Sequence, residues 1–599
     1  MKHAAKKILC LLLVGAFVVS MVSGCGKKGS DTKDSDTSQP VVTKTPDATG
    51  DADGAAPDTA DTPEPIDTSK VDTITVFVNT AEYNWDNPVA EEITRKTGIK
   101  LQFDVAIDDP GKKLALMQAS GQYADMILKV DDASFTSLYE GGALLRLDDL
   151  IDQYGPDIKK HFGDQYDRIR MDNEERGIYS FGVGSSSPAA IAPGQYWDDA
   201  FWAQIQGVKD QGYPQIKTLD DYGNFLKTEL AKNPVTADGQ KRYGLSLLTS
   251  DGWRYQFSLL RPANFINGYP WDGDYILNKD TKQIELAMQQ NYVKEFMRWY
   301  NKLYNEGLID PESFTQNYDT YLSKIANGRV VGVIDGFWQF STAVTQLRSE
   351  NKGDLTYMPF TPFAEPGVTD WNVYQSGGPA STGGFSLTTS CKVPEKVVNF
   401  FNYLCTEEGQ ILLEWGIEGV NYTIDADGNR VRNPEDVKAD DADPQGFVKK
   451  TGVKQYNHGY GQWLNEPYGY KTSNGQLLNS ADESALDASF SPVEKDVLAE
   501  YNMKYFSDVA PGAADLPLKP YGGLSNLKTG ENTEELSVIQ KIFDDSKLAN
   551  LANAIMCKPD EFDGVWEKYM GDLKDMGVDK LVADKNKALE IRKKLWGRE

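Results

Sequence analysis

From residue 73 onward, short runs of β-branched and apolar residues alternate with segments whose apolar positions recur at helical spacing. Residues 73–78 form the first such run, and Asn87-Pro88 then gives a helix cap followed by proline at the first helical position. Apolar and polar residues alternate over 99–103, residues 112–120 have a helical pattern, and 124–130 form a third apolar run. This order predicts a βαβαβ unit with parallel strands, whose ligands lie beyond the carboxyl ends of the strands.

The first 24 residues have the pattern of a secretory signal peptide. Three lysines precede an apolar run of 12 residues over 8–19, which is shorter than the roughly 20 residues that span a bilayer. The run is followed by Val22-Ser23-Gly24-Cys25, which resembles the lipobox of bacterial lipoproteins, where the thiol is acylated and becomes the new N-terminus. We therefore predict lipidation at Cys25 and attachment to the extracellular face of the cell membrane. An ordinary signal peptide with an incidental cysteine is the alternative.

Residues 25–70 form the next segment, which is rich in Asp, Thr, Ser, Pro and Ala and contains no aromatic side chain. Such a composition cannot bury enough apolar surface to offset the entropy lost on ordering. We predict that the segment is a disordered acidic linker between the lipidated cysteine and the folded chain.

The composition excludes several classes of protein. The 599 residues carry 89 acidic and 62 basic side chains, and the net charge of -27 disfavours nucleic acid as a partner. Three histidines, five cysteines and no C-x-x-C pair exclude a multi-histidine metal site, a zinc ribbon and a disulfide scaffold. We expect no metal and no cofactor. Residues 425–429 begin like a calcium loop, but their glycine falls at the fourth place rather than the sixth, and a β-turn is the better interpretation, with a structural calcium ion as the alternative. Cys391, Cys405 and Cys557 are expected to be buried free thiols.

Motifs of the common enzyme classes are absent from the sequence. It has no G-x-S-x-G, no H-E-x-x-H, no Walker A motif and no dinucleotide-binding glycine motif. We therefore predict that the protein is not an enzyme. A glycosidase needs only two carboxylates, so a chain with 89 acidic residues keeps that alternative open.

Short motifs also follow one another in a specific order along most of the chain. They include Asn87-Pro88-Val89, Met117 to Ile127, Leu138 to Leu144, Glu306 to Pro311, Val393 to Gln410 and Trp415 to Tyr422. Together they resemble the extracellular solute-binding lipoproteins of ABC importers, in particular the large carbohydrate-type subgroup of Gram-positive bacteria. The chain departs from the family's usual Arg-x-Asp-Trp-Leu segment over residues 196–202.

This resemblance implies an α/β, two-lobed, periplasmic-binding-protein-like fold of type II, with a cleft between the lobes. By the same resemblance, the first lobe comprises residues 71–180 and 384–430. The second lobe comprises residues 181–383 and 431–599, and its end is packed by the helically spaced residues from Phe562 to Leu573.

The loops after the first and third strands of the first lobe are candidates for ligand contact. The loop after the first strand supplies Glu82, Tyr83, Asn84 and Trp85. The loop after the third strand resembles the segment that hydrogen-bonds sugar hydroxyls in maltose-type binding proteins, and it supplies Lys129, Asp131 and Asp132. Trp85 can instead cover the first helix, and the two aspartates can instead cap the helix that begins near Ser134.

Aromatic residues of the second lobe are the other candidates, because a sugar presents its C–H face to aromatic rings and its hydroxyls to planar polar groups. Residues 335–338, Asp-Gly-Phe-Trp, follow a predicted strand and resemble the Asn-Gly-Pro-Trp motif of sugar binders. We therefore predict that Trp338 stacks on the ligand, with a core position beneath the hinge as the alternative. Weaker candidates are Trp197, Trp253, Trp371, Tyr374 and Trp463. The aromatic stretch 456–470 is either a cleft rim or a packed loop.

Together, these features predict a lipid-anchored monomer that captures a solute, foremost an oligosaccharide, and delivers it to an ABC transporter permease by hinge closure. The net charge favours a neutral ligand over a uronate or a sulfated glycan, although a local basic pocket would override it. Peptides and other polar solutes are not excluded. The alternatives from other classes are a secreted glycosidase and a sugar-binding sensory lipoprotein.

Overall fold

The computed structural model describes residues 65–597 apart from short internal stretches. The stretches outside the description are 79–82, 107–109, 129–131, 174, 188–190, 251, 373–378, 382, 457–462, 480–485, 488, 513–514, 518, 526, 528 and 530. The predicted signal peptide, the lipidation site at Cys25 and nearly all of the predicted linker therefore lie outside the described residues.

The strands, in chain order, are β1 (Asp72–Val78), β2 (Ile99–Val105), β3 (Met126–Leu128), β4 (Asp199–Gln204), β5 (Tyr243–Leu245), β6 (Tyr275–Leu277), β7 (Ile284–Leu286), β8 (Val330–Gly336), β9 (Tyr357–Phe360), β10 (Phe385–Leu387), β11 (Tyr422–Ile424) and β12 (Arg430–Arg432). They form a four-stranded sheet of order β10-β3-β1-β2, a second of order β5-β8-β4-β9, and the pairs β6-β7 and β11-β12.

The α-helices span Pro88–Thr97, Pro110–Ser120, Asp132–Glu140, Asp148–Tyr154, Pro156–Phe162, Ile205–Asp210, Leu219–Lys232, Tyr255–Ile266, Asn291–Asn305, Tyr318–Ala326, Phe337–Ser349, Pro394–Leu404, Glu407–Trp415, Pro434–Ala442, Pro444–Thr451, Pro492–Glu500, Thr533–Met556, Phe562–Met576 and Val578–Leu595. Short 3-10 helices span Gly163–Ile169, Ala287–Gln289, Pro311–Phe314, Gly353–Leu355 and Phe506–Val509. Within the described residues no helix is long and apolar enough to cross a lipid bilayer.

The first sheet confirms the predicted βαβαβ unit. β1 pairs in parallel with β2 along its whole length and with β3, while β10 pairs with β3 in the antiparallel sense. The first helix begins as the sequence predicts, because the Asn87 side chain accepts a hydrogen bond from the Ala90 N–H and Pro88 occupies the first helical position. Gly98 ends this helix in the left-handed conformation, at a φ of 68°.

The second sheet lies at the centre of the second lobe. β5 and β8 are parallel, and β4 lies between β8 and β9 and is antiparallel to both. Every residue of β4 and β8 is buried, because helices such as Leu219–Lys232 and Tyr255–Ile266 cover the faces of this sheet. The fully buried Trp202 of β4 packs in this core with Tyr222 and Tyr300.

The two hydrophobic cores define two lobes. Residues from Ile74 to Phe181 and from Phe385 to Leu464 build the core of the first lobe, and residues from Tyr196 to Phe360 and from Phe490 to Leu589 build that of the second. The sequence predicts that the chain returns to the second lobe at residue 431. In the structure, residues 447–464 still pack in the core of the first lobe.

The helix Pro444–Thr451 explains this later crossing. It packs against the helix Pro88–Thr97, and the Asn87 side chain donates to Gln455 Oε1 and Tyr456 Oη, at 3.0 Å each. Leu478 also packs with first-lobe residues, whereas Phe490 and the helices after residue 533 belong to the core of the second lobe. Phe562, Trp566, Tyr569 and Leu573 lie in that core, as predicted.

The predicted turn at residues 425–429 joins β11 to β12. The Asp425 N–H donates to the Asn429 carbonyl, and the Asp425 carboxylate accepts from the N–H groups of Asp427 and Asn429. Among the described residues, no group of three or more His, Cys, Asp or Glu side chains is placed to hold a metal ion. Cys391, Cys405 and Cys557 are free thiols, of which Cys391 is buried and the other two are half-buried.

Candidate ligand-binding site

One edge of the second sheet collects several of the predicted ligand-binding residues. It is the edge at which the parallel strands β5 and β8 end and the antiparallel strand β4 begins, with Asp199 of β4 opposite Gly336 of β8. Residues that precede β4, such as Trp197, therefore lie beside residues that follow β8, such as Trp338. We call this edge the site edge.

Gly336 allows Trp338 to lie close to the end of β8. The helix Phe337–Ser349 begins directly after this strand, so Trp338 lies in the first turn of that helix. A Cβ atom on Gly336 would lie 2.5 Å from Trp338 Nε1. Only glycine therefore fits this position while Trp338 keeps its place.

Four aromatic residues at the site edge contact one another. Trp253 and Trp338 are stacked, with ring centroids 5.8 Å apart and an interplanar angle of 12°. Phe257 packs edge-on against Trp338 at 5.2 Å and also contacts Trp271 at 6.2 Å. We call Trp253, Phe257, Trp271 and Trp338 the aromatic platform. Because Trp253 is 53% exposed, the platform presents an aromatic surface to solvent, as ring stacking on a saccharide requires.

Trp197 and Trp371 lie on the chain segments next to the start of β4. Trp197 is 52% exposed and packs its ring edge-on against Phe337, with centroids 5.3 Å apart. Trp371 is half-buried, and its neighbour Asn372 donates to Tyr196 Oη and to the Asp199 carbonyl. These hydrogen bonds fix the Trp371 segment against the site edge.

Beneath the platform, carboxyl groups outnumber basic groups. Asp199 and Asp335 are fully buried, and the Arg261 guanidinium forms an ion pair with Asp199 at 2.7 Å and reaches Asp198 at 3.6 Å. Asp335 instead accepts hydrogen bonds from Tyr321 Oη, Gln339 Nε2 and its neighbour's backbone N–H.

Burial raises the pKa of these carboxyl groups, because the low-dielectric interior disfavours the charged form. Burial raises the pKa of Asp335 to about 8, with a smaller contribution from the charge of Asp199. Burial also raises the pKa of Asp199 to about 7, against the opposing effect of Arg261. The pKa of Asp370 rises to about 6 for the same reason.

The first-lobe candidates have different surroundings. Glu82, Lys129 and Asp131, like Tyr374 of the second-lobe set, lie outside the described residues, and Asp132 is the first residue of the helix Asp132–Glu140. Tyr83 stacks on Phe103 at 5.6 Å, and Asn84 donates to the Lys449 carbonyl at 3.1 Å.

Trp85 and Trp463 lie in the core of the first lobe. They are 6% and 1% exposed, respectively, and their rings stack on one another at 6.2 Å. Trp85 Nε1 donates to Thr94 of the first helix at 2.9 Å, so Trp85 covers that helix, which was the alternative interpretation. Both rings are enclosed by protein atoms, and we do not include them in the proposed site.

Phe257, Arg261 and Trp271 belong to the site edge but were not among the sequence candidates. Phe257 and Arg261 are four residues apart on the helix Tyr255–Ile266, so they share one face of it. The sequence signal that could have identified them is an apolar and a basic residue four positions apart, shortly after Trp253.

A cavity of about 630 Å³ lies between the lobes at another place. The first-lobe helix Asp132–Glu140 lines one side, and the second-lobe helices Thr533–Met556 and Val578–Leu595 line the other. Its lining includes several carboxylates but no aromatic side chain. The aromatic platform is therefore the better candidate for stacking on a saccharide.

The two α/β lobes are the architecture of a two-lobed solute-binding protein. In agreement, residues 89–426 match the family described as bacterial extracellular solute-binding protein. Because the match covers more than half of the chain, the protein belongs to this family.

Individual relatives are distant. The fructooligosaccharide ABC transporter substrate-binding protein FusA of Streptococcus pneumoniae serotype 4 (strain ATCC BAA-334 / TIGR4) is 24% identical over 245 residues, which are 39% of this chain and 44% of that protein. The match thus spans less than half the length of this relative.

Solved structures are similar over most of their length. An extracellular solute-binding protein from Bifidobacterium longum subsp. infantis has a TM-score of 0.62 at 16% identity, covering 87% of this chain and 98% of its own. The alginate-binding protein AlgQ2, crystallised without calcium ion, has a TM-score of 0.58 at 19% identity with the same coverage. These likenesses show the fold.

The buried carboxyl groups predict that the protein is less stable in alkaline solution. Asp199 and Asp335 keep their protons in the folded state up to about pH 7 and pH 8, whereas the unfolded chain loses them near pH 4. The free energy of unfolding that these two protons contribute is therefore complete below pH 4. It falls by up to about 1.4 kcal/mol per pH unit for each proton as the pH rises from there through the folded-state pKa values. Between pH 5.5 and 7.5, the decrease in unfolding free energy should be smaller in Asp335→Asn than in the wild type by about 2 kcal/mol.

Urea unfolding at several pH values measures this effect. The control is Asp319→Asn, since Asp319 is exposed on the nearby helix Tyr318–Ala326. An equal slope in the wild type and in Asp335→Asn would contradict the prediction.

Proposed function

We propose that this protein is a lipid-anchored, extracellular, monomeric receptor that captures an oligosaccharide between its lobes and delivers it to an ABC transporter permease. The observation that carries the proposal is the exposed Trp253 stacked on Trp338 at the carboxyl ends of β5 and β8. Open α/β sheets bind their ligands at this edge. Membership of the solute-binding family and the name of the relative FusA, which refers to fructooligosaccharide and an ABC transporter, support the same proposal.

The platform suits a saccharide ring in two ways. Its aromatic faces pack against the C–H groups of the ring and exclude water, which strengthens the polar contacts beside them. Asp198 is partly exposed beside Arg261, and its carboxylate is placed at the rim as an acceptor for ligand hydroxyls. Candidate contacts from the first lobe are Tyr83 and Asn84, together with Glu82, Lys129, Asp131 and Asp132.

Hinge closure is the proposed mechanism of transport. A ligand that contacts both lobes stabilises the closed arrangement, and the permease then engages a population enriched in that arrangement. The ligand shifts the equilibrium only by its difference in affinity for the two arrangements. Part of the binding free energy is therefore spent on closing the cleft.

We propose that the protein binds its ligand without cleaving it. The carboxyl groups with the highest pKa values near the platform, Asp199 and Asp335, are fully buried. A general acid must come within hydrogen-bond reach of the bond that it protonates, which these buried groups do not.

Thermal unfolding with a panel of mono- and oligosaccharides tests the function. A ligand at 100 times its dissociation constant should add about 2.7 kcal/mol to the stability of the folded state. We expect one saccharide class to raise the melting temperature, with no new reducing ends in the same wells. New reducing ends would identify a glycosidase. An unchanged melting temperature with every saccharide would contradict the oligosaccharide proposal.

Removing one aromatic face of the platform should weaken binding without unfolding the protein. Trp253 is 53% exposed, so Trp253→Ala should leave the fold stable and weaken saccharide binding about tenfold, or roughly 1.4 kcal/mol. Trp338→Ala should weaken binding at least as much, and Trp338→Phe less, because phenylalanine keeps a ring face. Titration calorimetry measures these affinities.

A matched control for these variants lies on the first lobe. Ile424 is 45% exposed in the β11–β12 hairpin, so Ile424→Ala also removes an exposed apolar side chain and should leave the affinity unchanged. Wild-type affinity in folded Trp253→Ala and Trp338→Ala would remove the platform from the site.

Lipidation at Cys25 should attach the protein to the membrane. Cys25→Ser removes the thiol that is acylated, so the variant should leave the membrane fraction and lose metabolic labelling with an alkyne-tagged palmitate. Cys391→Ser, which changes a buried thiol of the first lobe, should keep both properties. Equal labelling of Cys25→Ser and the wild type would refute the anchor.

A further inference from the structure

Arg254 occupies an unusual position at the site edge. It directly follows Trp253, and its guanidinium carbon lies 4.9 Å from the Trp253 ring centroid and 4.3 Å from that of Tyr318. The Tyr318 hydroxyl donates to the Gln339 carbonyl on the helix that carries Trp338. Arg254 is thus held between aromatic rings beside the platform.

No carboxylate of the described residues neutralises Arg254. Its Nη1 atom is buried and has no hydrogen-bond partner within the part of the chain that the structure describes. Two other arginines of the second lobe do pair with a carboxylate, since Arg242 pairs with Glu229 at 3.0 Å and Arg261 pairs with Asp199 at 2.7 Å. A charged group partly removed from water without a counter-ion is unfavourable.

The local backbone adds to this positive charge. Arg254 is the N-cap of the helix Tyr255–Ile266, whose first turn contains no acidic residue. The positive end of the helix dipole favours an anion at this position rather than a cation. The helix Phe337–Ser349 also begins at the site edge without a side-chain cap. Asp335, which lies below Trp338, keeps its proton at neutral pH and does not offset this charge.

We infer that Arg254 recognises a carboxylate on the bound saccharide, so that the cargo contains a uronic acid unit whose ring packs on the aromatic platform. The inference rests on the proposed function and specifies its substrate class. A guanidinium fork matches the geometry of a carboxylate and can donate two hydrogen bonds to it. The ligand thus supplies the missing counter-ion at the N-cap, although the net charge of the whole chain is -27.

Paired ligands test this inference on the full-length protein. Calorimetry would compare uronate trisaccharides of galacturonate, glucuronate and mannuronate with their methyl esters, which keep the ring and remove the charge. We expect at least one acid to bind at least tenfold more tightly than its ester, and the ratio to fall toward one in Arg254→Gln. Acetate alone should not bind measurably, since it has no ring to pack on the platform.

The control arginine is Arg329. Its guanidinium carbon also lies over a tyrosine ring, 5.6 Å from the centroid of Tyr243, but it precedes β8 and so lies at the opposite edge of the sheet. Arg329→Gln should keep the acid-to-ester ratio, and Arg254→Lys should keep part of it.

The outcomes separate this inference from the function on which it rests. Binding of neutral saccharides with no preference for any acid, or an unchanged ratio in folded Arg254→Gln, would overturn the uronate assignment and leave the receptor function in place. Failure of every saccharide, acidic or neutral, to bind would overturn both.

Discussion

The pairing of β4 with β8 in opposite directions is the constraint on which the site depends. In a wholly parallel sheet, the residues before one strand and those after its neighbour lie at opposite edges. Because Asp199 lies opposite Gly336, the segment that enters the second lobe and the segment that leaves β8 meet at one edge. Trp197 and Trp338 therefore lie at one candidate site, although more than a hundred residues of chain separate them.

The same pairing explains the chemistry beneath the platform. Asp199 begins a strand whose residues are all buried, so its carboxyl group is taken out of water together with that of Asp335. Arg261 pairs with Asp199, and Asp335 is satisfied by neutral donors. A protonated carboxyl group in this position lets the protein bury polar groups near the ligand surface with little net charge. The platform therefore lies above two buried carboxyl groups, one paired with Arg261 and the other hydrogen-bonded by neutral donors.

Local signals predicted much of the fold. Asn87, Pro88 and Gly98 act within one helix, and their roles follow from neighbouring residues alone. Trp338 was a candidate because residues 335–338 follow a strand and resemble the Asn-Gly-Pro-Trp motif of sugar binders. Trp85 and Trp463 could not be assigned to a core from local sequence, since each is buried by the other across more than 370 residues of chain. Arg254 was not a sequence candidate for a related reason, because its position between the Trp253 and Tyr318 rings, without a carboxylate partner among the described residues, is a property of the assembled lobe.

The interrupted first lobe has a consequence for folding. β10 completes the first sheet by pairing with β3, and Tyr456 and Trp463 close the core around Trp85, yet residues 196–360 of the second lobe are synthesised between these parts. Contacts between such distant residues require a large loop to close and form slowly. During synthesis, the first βαβαβ unit therefore waits with the edge of β3 unpaired and one side of its core open. Unpaired strand edges favour association between chains, so efficient production of this protein depends on protecting that edge until β10 has emerged.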